Sequence, residues 1–579
     1  MNLSRREFLE LLAAGAAGLG LNACDGGRRG LGNASASSLY DAAPYGNLTL
    51  LHFTDCHAQL RPLHYREPSI NLGAGTGRNK PPHLVGEALR RKYRLAPGSI
   101  EAHAFTHLNF IEAAQQYGQV GGFAHLATLI KNLRISRPGR TLLLDGGDTW
   151  QGSATSLWTE GRDMIGACKL LGVDAMTAHW EFTYGTARVQ QAVQELAGRI
   201  DFLAHNVFDS SFGEDRVFAP YVMREVNKIP VAIIGQAYPY TPIANNRYAF
   251  EQWTFGIREE ELQKLVDQVR TKGAHVVVLL SHNGADVDLK LASRVSGIDV
   301  ILGGHTHDAM PEPTIVPNTG GKTLVVQSGS HTKFLSVLDL KVRRGRVRDF
   351  RYRLMPVFSN LIAADREMAA YIDKVRAPYK AKLEEKLAVT ESLLYRRGNF
   401  NGTFDELILQ ALLATQDAQI AFSPGFRWGA ALLPGETITM EKLMDHTAIT
   451  YPGVTVNEFT GTQIKDILED IADNLFHPDP YYQQGGDMVR TTGLRYTLDL
   501  TQARGDRIQD LELGGQPIAP EKNYKVAGWA SVQRQPAGAT PIWEVVAQYL
   551  RQKKTIRMPE PYTPRLKGAD GDSGMAGTL

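Results

Sequence analysis

Seven residues of this chain are of the types that hold divalent metals, and each stands at a comparable place in its own segment. Asp55 and His57 lie in "TDCHA", Asp148 in "DGGDTW", His179 in "TAHWE", His282 in "LLSHNG", and His305 and His307 in "GGHTH". Every one of these segments ends a short apolar run that reads as a β-strand. Ligands at the carboxyl ends of neighbouring strands converge on one crevice, which is where open α/β sheets place their sites. In an extended segment alternate residues point the same way, so the spacing predicts that Asp55 aims with His57 and His305 with His307. Glycines beside them allow the backbone to turn sharply at the strand ends. A single histidine of this kind is as a rule a satisfied structural group; five such strand ends together are a metal centre. Mixed carboxylate and imidazole donors suit manganese, zinc or iron rather than calcium. Seven groups exceed one tetrahedral site and fit two ions ~3.5–4 Å apart sharing a bridging carboxylate.

The elements that must position these residues begin at Asn47. "LTLLHFTD", "RTLLLDGGD", "AHVVVLLSHNG" and "IDVILGGHTH" are near-continuous apolar strands, and "GGFAHLATLIKNLRIS" and "DMIGACKLLG" space their apolar residues as helices. Such strands joined by helices imply a sheet buried on both faces. "TLVVQSG" and "FLSVLDLKVRRGRVRDFRYRLM" add further strands, the latter alternating and antiparallel. A metal-bearing domain therefore spans 46–364, and a charged helical connector follows at 365–390. A second domain over 391–562 has its own helices ("TFDELILQALLATQ", "TGTQIKDILEDIADNLF") and strands ("GLRYTLDL", "NYKVAGWA"). The Gly-rich tail 563–579 is expected to be mobile.

At 579 residues the chain is long enough for two folded domains. It has 63 basic and 61 acidic residues. That balance argues against a general nucleic-acid binder. Residues 1–33 begin with paired Arg5 and Arg6 before a mild Ala/Gly/Leu stretch, which fits a twin-arginine export signal and a periplasmic destination. The stretch is too short and weak for a membrane span. Cys24, after "LNA", is a candidate for lipid attachment. With only Cys56 and Cys168 besides, no disulfide framework holds the fold together.

The set D-x-H, G-D, a ligand before Glu, S-H-x-G and G-H-x-H resembles the calcineurin-like metallophosphoesterases, and the layout resembles their 5′-nucleotidase branch. The resemblance covers most of the chain from Leu48. It implies an N-terminal four-layer αββα sandwich, an α/β domain, followed by an α+β nucleotidase-like domain. It also implies that Asp55, His57, Asp148 and His307 hold one ion, and that Asp148 bridges to a second held with His179, His282 and His305. The chain departs from the phosphoesterase pattern Gly-Asn-His-Glu at Ala178-His179-Trp180-Glu181: an indole, which transfers no proton, replaces the histidine that assists the leaving group. Thr450 and Met488 fall where nucleotidases clamp a base between aromatic rings, with Tyr451 one place away. Both departures, with "HFTDCHAQL", "GGDTWQGS", "HWEFTYG" and "GNFNGTFDELI", resemble the SoxB thiosulfohydrolase family. That resemblance implies two manganese ions, zinc or iron being alternatives. It further implies a SoxYZ-type carrier protein bearing a cysteine S-thiosulfonate, hydrolysed by a dimetal-bound hydroxide to release sulfate. A persulfide is a far weaker base than an alkoxide, so its departure needs no acid at Trp180. An exported 5′-nucleotidase is the competing reading.

Two further expectations concern single residues, and a third an insertion. Glu181 orients a ligand imidazole from behind or forms a structural ion pair. Arg427, in "SPGFRWGA", matches a segment in which nucleotidases carry an anion-binding arginine, and its planar donors suit a sulfonate. The insertion 61–118 holds His64, His83, His103 and His107 without convergent spacing, and reads as a loop shaping access to the crevice.

Overall fold

The computed structural model describes residues 39–211 and 215–577. The expected export signal at 1–33 and Cys24 lie outside the described residues. Two six-stranded sheets dominate the first half. One runs in the order β12-β11-β1-β2-β3-β4, with β1 Leu48–Phe53, β2 Thr141–Asp145, β3 Ala175–Met176, β4 Asp201–Phe202, β11 Phe334–Arg343 and β12 Arg346–Pro356. The other is β9-β10-β8-β7-β6-β5, with β5 Tyr221–Val226, β6 Ile229–Gln236, β7 Val276–Ser281, β8 Val300–Gly303, β9 Thr314–Asn318 and β10 Gly321–Gln327. The strands β1 to β4 are parallel, as are β6, β7, β8 and β10.

Alternation within the apolar strands explains the layering. Leu48 and Leu50 of β1 enter the core between the sheets, where they meet Val276, Val278 and Leu280 of β7. Leu51 and Phe53 point outward to the helices α1 Phe123–Ser136 and α2 Arg162–Leu171. Val277 and Leu279 of β7 face the helices on the opposite side, Glu259–Thr271 and Ala285–Arg294. Strands buried on both faces need apolar side chains at every position, and this gives the helix-sheet-sheet-helix sandwich.

The connector differs from its expected form. Its helix Arg366–Arg376 packs Met368 and Ile372 onto the first domain, then breaks at Ala377–Tyr379, where Pro378 lacks the amide a helix needs. Lys386–Thr390, expected to be helical, is a strand paired with Thr437–Thr439 and Thr555–Ile556. The second domain mixes this small sheet with two four-stranded sheets and the helices Thr403–Thr415, Gly461–Phe476 and Ile542–Lys553.

The tail is not mobile over its described part. Arg565–Lys567 pairs with Leu494–Asp499, and the chain then docks on the insertion. Ser573 accepts a hydrogen bond from the Val85 amide at 3.1 Å, and Gly574 one from the Asn71 amide at 2.8 Å. Asp572, 1% exposed, pairs with Arg78 at 3.1 Å. Backbone partners, invisible in composition, decide this order. Among the described residues no helix is long and apolar enough to cross a membrane.

Candidate metal centre

The predicted ligands converge. Asp55, His57, Asp148 and His179 follow β1, β2 and β3 of one sheet, and His282, His305 and His307 follow β7 and β8 of the other. Their donor atoms fall into two groups: Asp148, His179, His282 and His305, and Asp55, His57, Asp148 and His307, within each of which they lie inside 4.8 Å of one another. Asp148 belongs to both. Its Oδ2 is 3.2 Å from His179 Nδ1, 3.1 Å from His282 Nε2 and 3.7 Å from His57 Nε2. Asp55 Oδ1 is 3.4 Å from His307 Nε2 and 3.7 Å from His282 Nε2.

The loops reach this geometry by a route the strand periodicity does not predict. Asp55, His57, Asp148, His305 and His307 all have positive φ, between 45° and 76°. They are left-handed turns, not extended segments, and each costs roughly 1–2 kcal/mol in a residue with a Cβ. The turns are held by one another: the amide of Asp55 donates to Gly147 O, that of His57 to Asp148 O, both at 2.9 Å, and that of His305 to Asp55 Oδ1 at 2.9 Å. Strain maintained by such cross-bracing is characteristic of functional sites. Gly304 is obligatory here, since a Cβ would lie 2.3 Å from Thr54 Oγ1 and 2.9 Å from Asp55 Oδ2.

The electrostatics suit cations. Burial alone would raise the Asp148 carboxyl, but His179 and His282 hold it well below its ordinary value. Burial and neighbouring imidazoles push His305 and His307 well down, which keeps them neutral with a lone pair to offer. Burial disfavours charge on His282, yet Asp148 and Asp55 push its pKa up to about 10. His57 Nε2 and His307 Nε2 face each other at 3.0 Å with no oxygen between. Two carboxylates and five imidazoles in this arrangement fit a pair of divalent ions.

Glu181 is fully buried but reaches no imidazole nitrogen. Its carboxylate accepts from the amides of Thr149 (2.6 Å), His179 (2.8 Å), Trp150 (3.2 Å) and Asp148 (3.3 Å), so it fixes the loops carrying two ligands. Arg427, expected to bind an anion, is also engaged with protein groups. Its guanidinium donates to Asp487 Oδ1 (3.1 Å), Thr306 O (3.0 Å) and Gly486 O (2.5 Å), which ties the second domain to the His305–His307 loop. The insertion's histidines do not gather: His83 pairs with Asp286 at 2.7 Å, His103 stacks on Tyr117, and His107 meets Pro68 O. Met488 is buried. Tyr451 lies parallel to Trp180, with ring centroids 6.1 Å apart, and so is turned inward.

Several residues of the site carry no signal of charge or spacing. Trp428 stacks on His57 at 5.0 Å and meets Trp180 edge-on at 4.9 Å. Tyr238 lies over His305 at 4.2 Å, and Asn245 reaches His179 Nε2 at 3.3 Å. Tyr238 and Asn245 follow β6, the neighbour of β7 in its sheet, so a further strand end beside the ligand-bearing ones was the available clue.

Comparison with known proteins places these observations. The model of the 5′-nucleotidase C-terminal domain family matches residues 387–539. The 5′-nucleotidase of Bos taurus is 26% identical over 458 residues, 70% of this chain and 76% of its own length. Protein UshA of Escherichia coli is 22% identical, covering 71% of this chain and 81% of its own. Among solved structures, the sulfate thiohydrolase SoxB of Thermus thermophilus, in complex with glycerol, is 39% identical with a TM-score of 0.86, covering 91% of this chain and 98% of its own. A 5′-nucleotidase precursor from Thermus thermophilus shares the fold at 22% identity and a TM-score of 0.71, covering 90% of this chain and 99% of its own.

Proposed function

Because this chain belongs to the SoxB family, within the 5′-nucleotidase branch of the metallophosphoesterases, we propose that it is a thiosulfohydrolase that acts on a cysteine S-thiosulfonate carried by a SoxYZ-type protein and releases sulfate. The observation that carries this reading is Trp180. Where the phosphoesterase pattern has a histidine, this chain presents an indole 5% exposed, packed against Phe426, Trp428 and Tyr451. No proton donor stands there for an alkoxide.

Asp55, His57, Asp148 and His307 would hold one ion, and Asp148, His179, His282 and His305 the other. Manganese is favoured by the family resemblance, with zinc or iron as alternatives. Such a pair, when bound, supplies Lewis acidity and water of lowered pKa at neutral pH. The chain's own residues do the rest. Glu181 holds the Asp148 and His179 loops, Arg427 holds the His305–His307 loop, and the aromatic wall of Trp180 and Trp428 excludes bulk water. Hydrolysis forms an S–O bond from water to the sulfonate sulfur and breaks the S–S bond. The electron pair leaves on the inner sulfur as a persulfide, and two protons pass to solvent. A stable thiolate-like anion needs no acid, so the indole is no handicap. Arg5 and Arg6 support export to the periplasm by the twin-arginine route, which carries proteins already folded.

The nucleotidase reading is less well supported, because Tyr451 is committed to Trp180 and Met488 to the core, leaving neither to clamp a base. Metal-loaded protein should release sulfate from thiosulfonate-loaded carrier and little phosphate from a nucleotide panel. The reverse result would reject the thiosulfohydrolase reading.

A further inference from the structure

The two groups of ligands differ in what stands behind their imidazoles. His57 Nδ1 and His307 Nδ1, the nitrogens turned away from the centre, make no hydrogen bond to another of the described residues. The second domain touches that group through Trp428 over the His57 ring and Arg397 on the His307 carbonyl at 3.1 Å, and neither contact reaches an imidazole nitrogen. In the other group every outer nitrogen is engaged. His282 Nδ1 lies 2.6 Å from Gly146 O. His305 Nε2 lies 3.2 Å from the carbonyl of Gln484, in the second domain, and the Tyr238 hydroxyl donates to the same carbonyl. Gly485 is required beside it, at φ +70°, since a Cβ would fall 2.3 Å from His305 Nε2. His179 Nε2 lies 3.3 Å from the Asn245 amide, whose other end bonds the Tyr451 hydroxyl at 3.1 Å. Asn245 is 1% exposed and Tyr451 3%.

For His179 to offer its Nδ1 lone pair to an ion, its proton must sit on Nε2, and Nε2–H must find an acceptor. Asn245 would meet this with Oδ1 toward His179 and its NH₂ toward Tyr451, whose oxygen would then accept. The two ends of an amide have the same shape, and hydrogen bonding decides between them. In the structure Asn245 Nδ2 faces His179 Nε2 and the Tyr451 hydroxyl donates to Oδ1, and turning the amide over exchanges the two roles within the same space.

We propose that Asn245 and Tyr451, together with the Gln484 carbonyl, are positioning groups that make the ion held by Asp148, His179, His282 and His305 depend on the second domain more than the other ion does. The inference rests on the two-ion reading of the centre and adds to it an asymmetry. Tyr451, beside the place where a nucleotidase would clamp a base, serves instead as the outermost member of a chain running Tyr451, Asn245, His179. Groups behind a metal-bound imidazole typically change affinity 10–100-fold when removed.

The test titrates manganese chloride into the metal-free full-length protein and into the variants Tyr451→Phe, Asn245→Ala and Asn245→Asp. Each variant is first matched to wild type by circular dichroism. Wild type should bind two ions. Tyr451→Phe keeps the ring on Trp180 and loses only the hydroxyl. It and Asn245→Ala should weaken one of the two ions by ~10–100-fold and leave the other unchanged. In electron paramagnetic resonance, limiting manganese should then give the six-line signal of an isolated ion. Asn245→Asp, which keeps an oxygen acceptor, should restore the weakened ion. If the wild type holds two ions and the variants match it, this proposal falls alone. It falls too if both ions weaken equally, or if Asn245→Asp behaves as Asn245→Ala. A wild type that holds fewer than two overturns the two-ion reading, and this proposal with it.

Discussion

Trp180 works through two parts of its structure. Its backbone amide donates to Asp148 Oδ1 at 2.8 Å and holds the carboxylate common to both ligand groups, while its indole joins the apolar core of the second domain. Trp180→His should therefore keep both ions, because the amide remains, but should lose packing. Truncating a buried tryptophan costs ~3–5 kcal/mol, and the smaller imidazole should cost part of that in a denaturant titration. Sulfate release per metal-loaded molecule should not rise. Any phosphoesterase side activity should rise, since general acid help is worth ~10²–10⁴-fold when well placed. A wild type that already hydrolyses nucleotides well, and a variant that loses this activity, would reject the leaving-group argument. The ligands themselves separate by position. Asp148→Asn should abolish binding of both ions in elemental analysis, because Asp148 lies in both groups, whereas His57→Ala should mainly weaken one.

At the scale of elements, the strands were legible because burial on both faces demands unbroken apolar runs, and β1, β2, β7 and β8 have them. The ligand sites were legible because charged residues and glycine follow those runs directly. The turn geometry was not. His305 and His307 serve different ligand groups through turns of positive φ, held by cross-bracing between loops far apart in sequence. Nor were Tyr238 and Asn245, whose uncharged side chains resemble ordinary packing until the neighbouring imidazole is in place. The tail was misread for the same reason: a Gly- and Asp-rich segment is mobile only if its backbone lacks partners, and this one has partners in the insertion. Deleting residues 568–579 should remove the amide bonds to Ser69, Asn71 and Val85, each worth ~0.5–1.5 kcal/mol. Hydrogen exchange over residues 69–85 should quicken, with β1 and β7 unchanged. Unaltered exchange in that insertion would show that the tail does not secure it.

For the molecule as a whole, the centre lies where the two domains meet, and the second domain grips the ligand loops at several points. Arg397 and Arg427 donate to the Thr306 carbonyl, Trp428 covers His57, and Gln484 meets His305. Ions bound by first-domain side chains should therefore also fasten the second domain in place. Binding at a thousand times Kd stabilises by ~4 kcal/mol per site at 25 °C. Removing the ions should thus lower stability by several kcal/mol and loosen the interface before either core. The measurement is hydrogen exchange of the protein with and without chelator. Protection should fall at residues 304–308 on one domain and at 426–429 and 483–487 on the other, while β2 and β8 stay protected. Restoring manganese should recover all three segments together, because they close on the same centre. If chelation loosens only 304–308, the ions hold their own loop and nothing more, and the domains are fastened by the aromatic packing around Trp180.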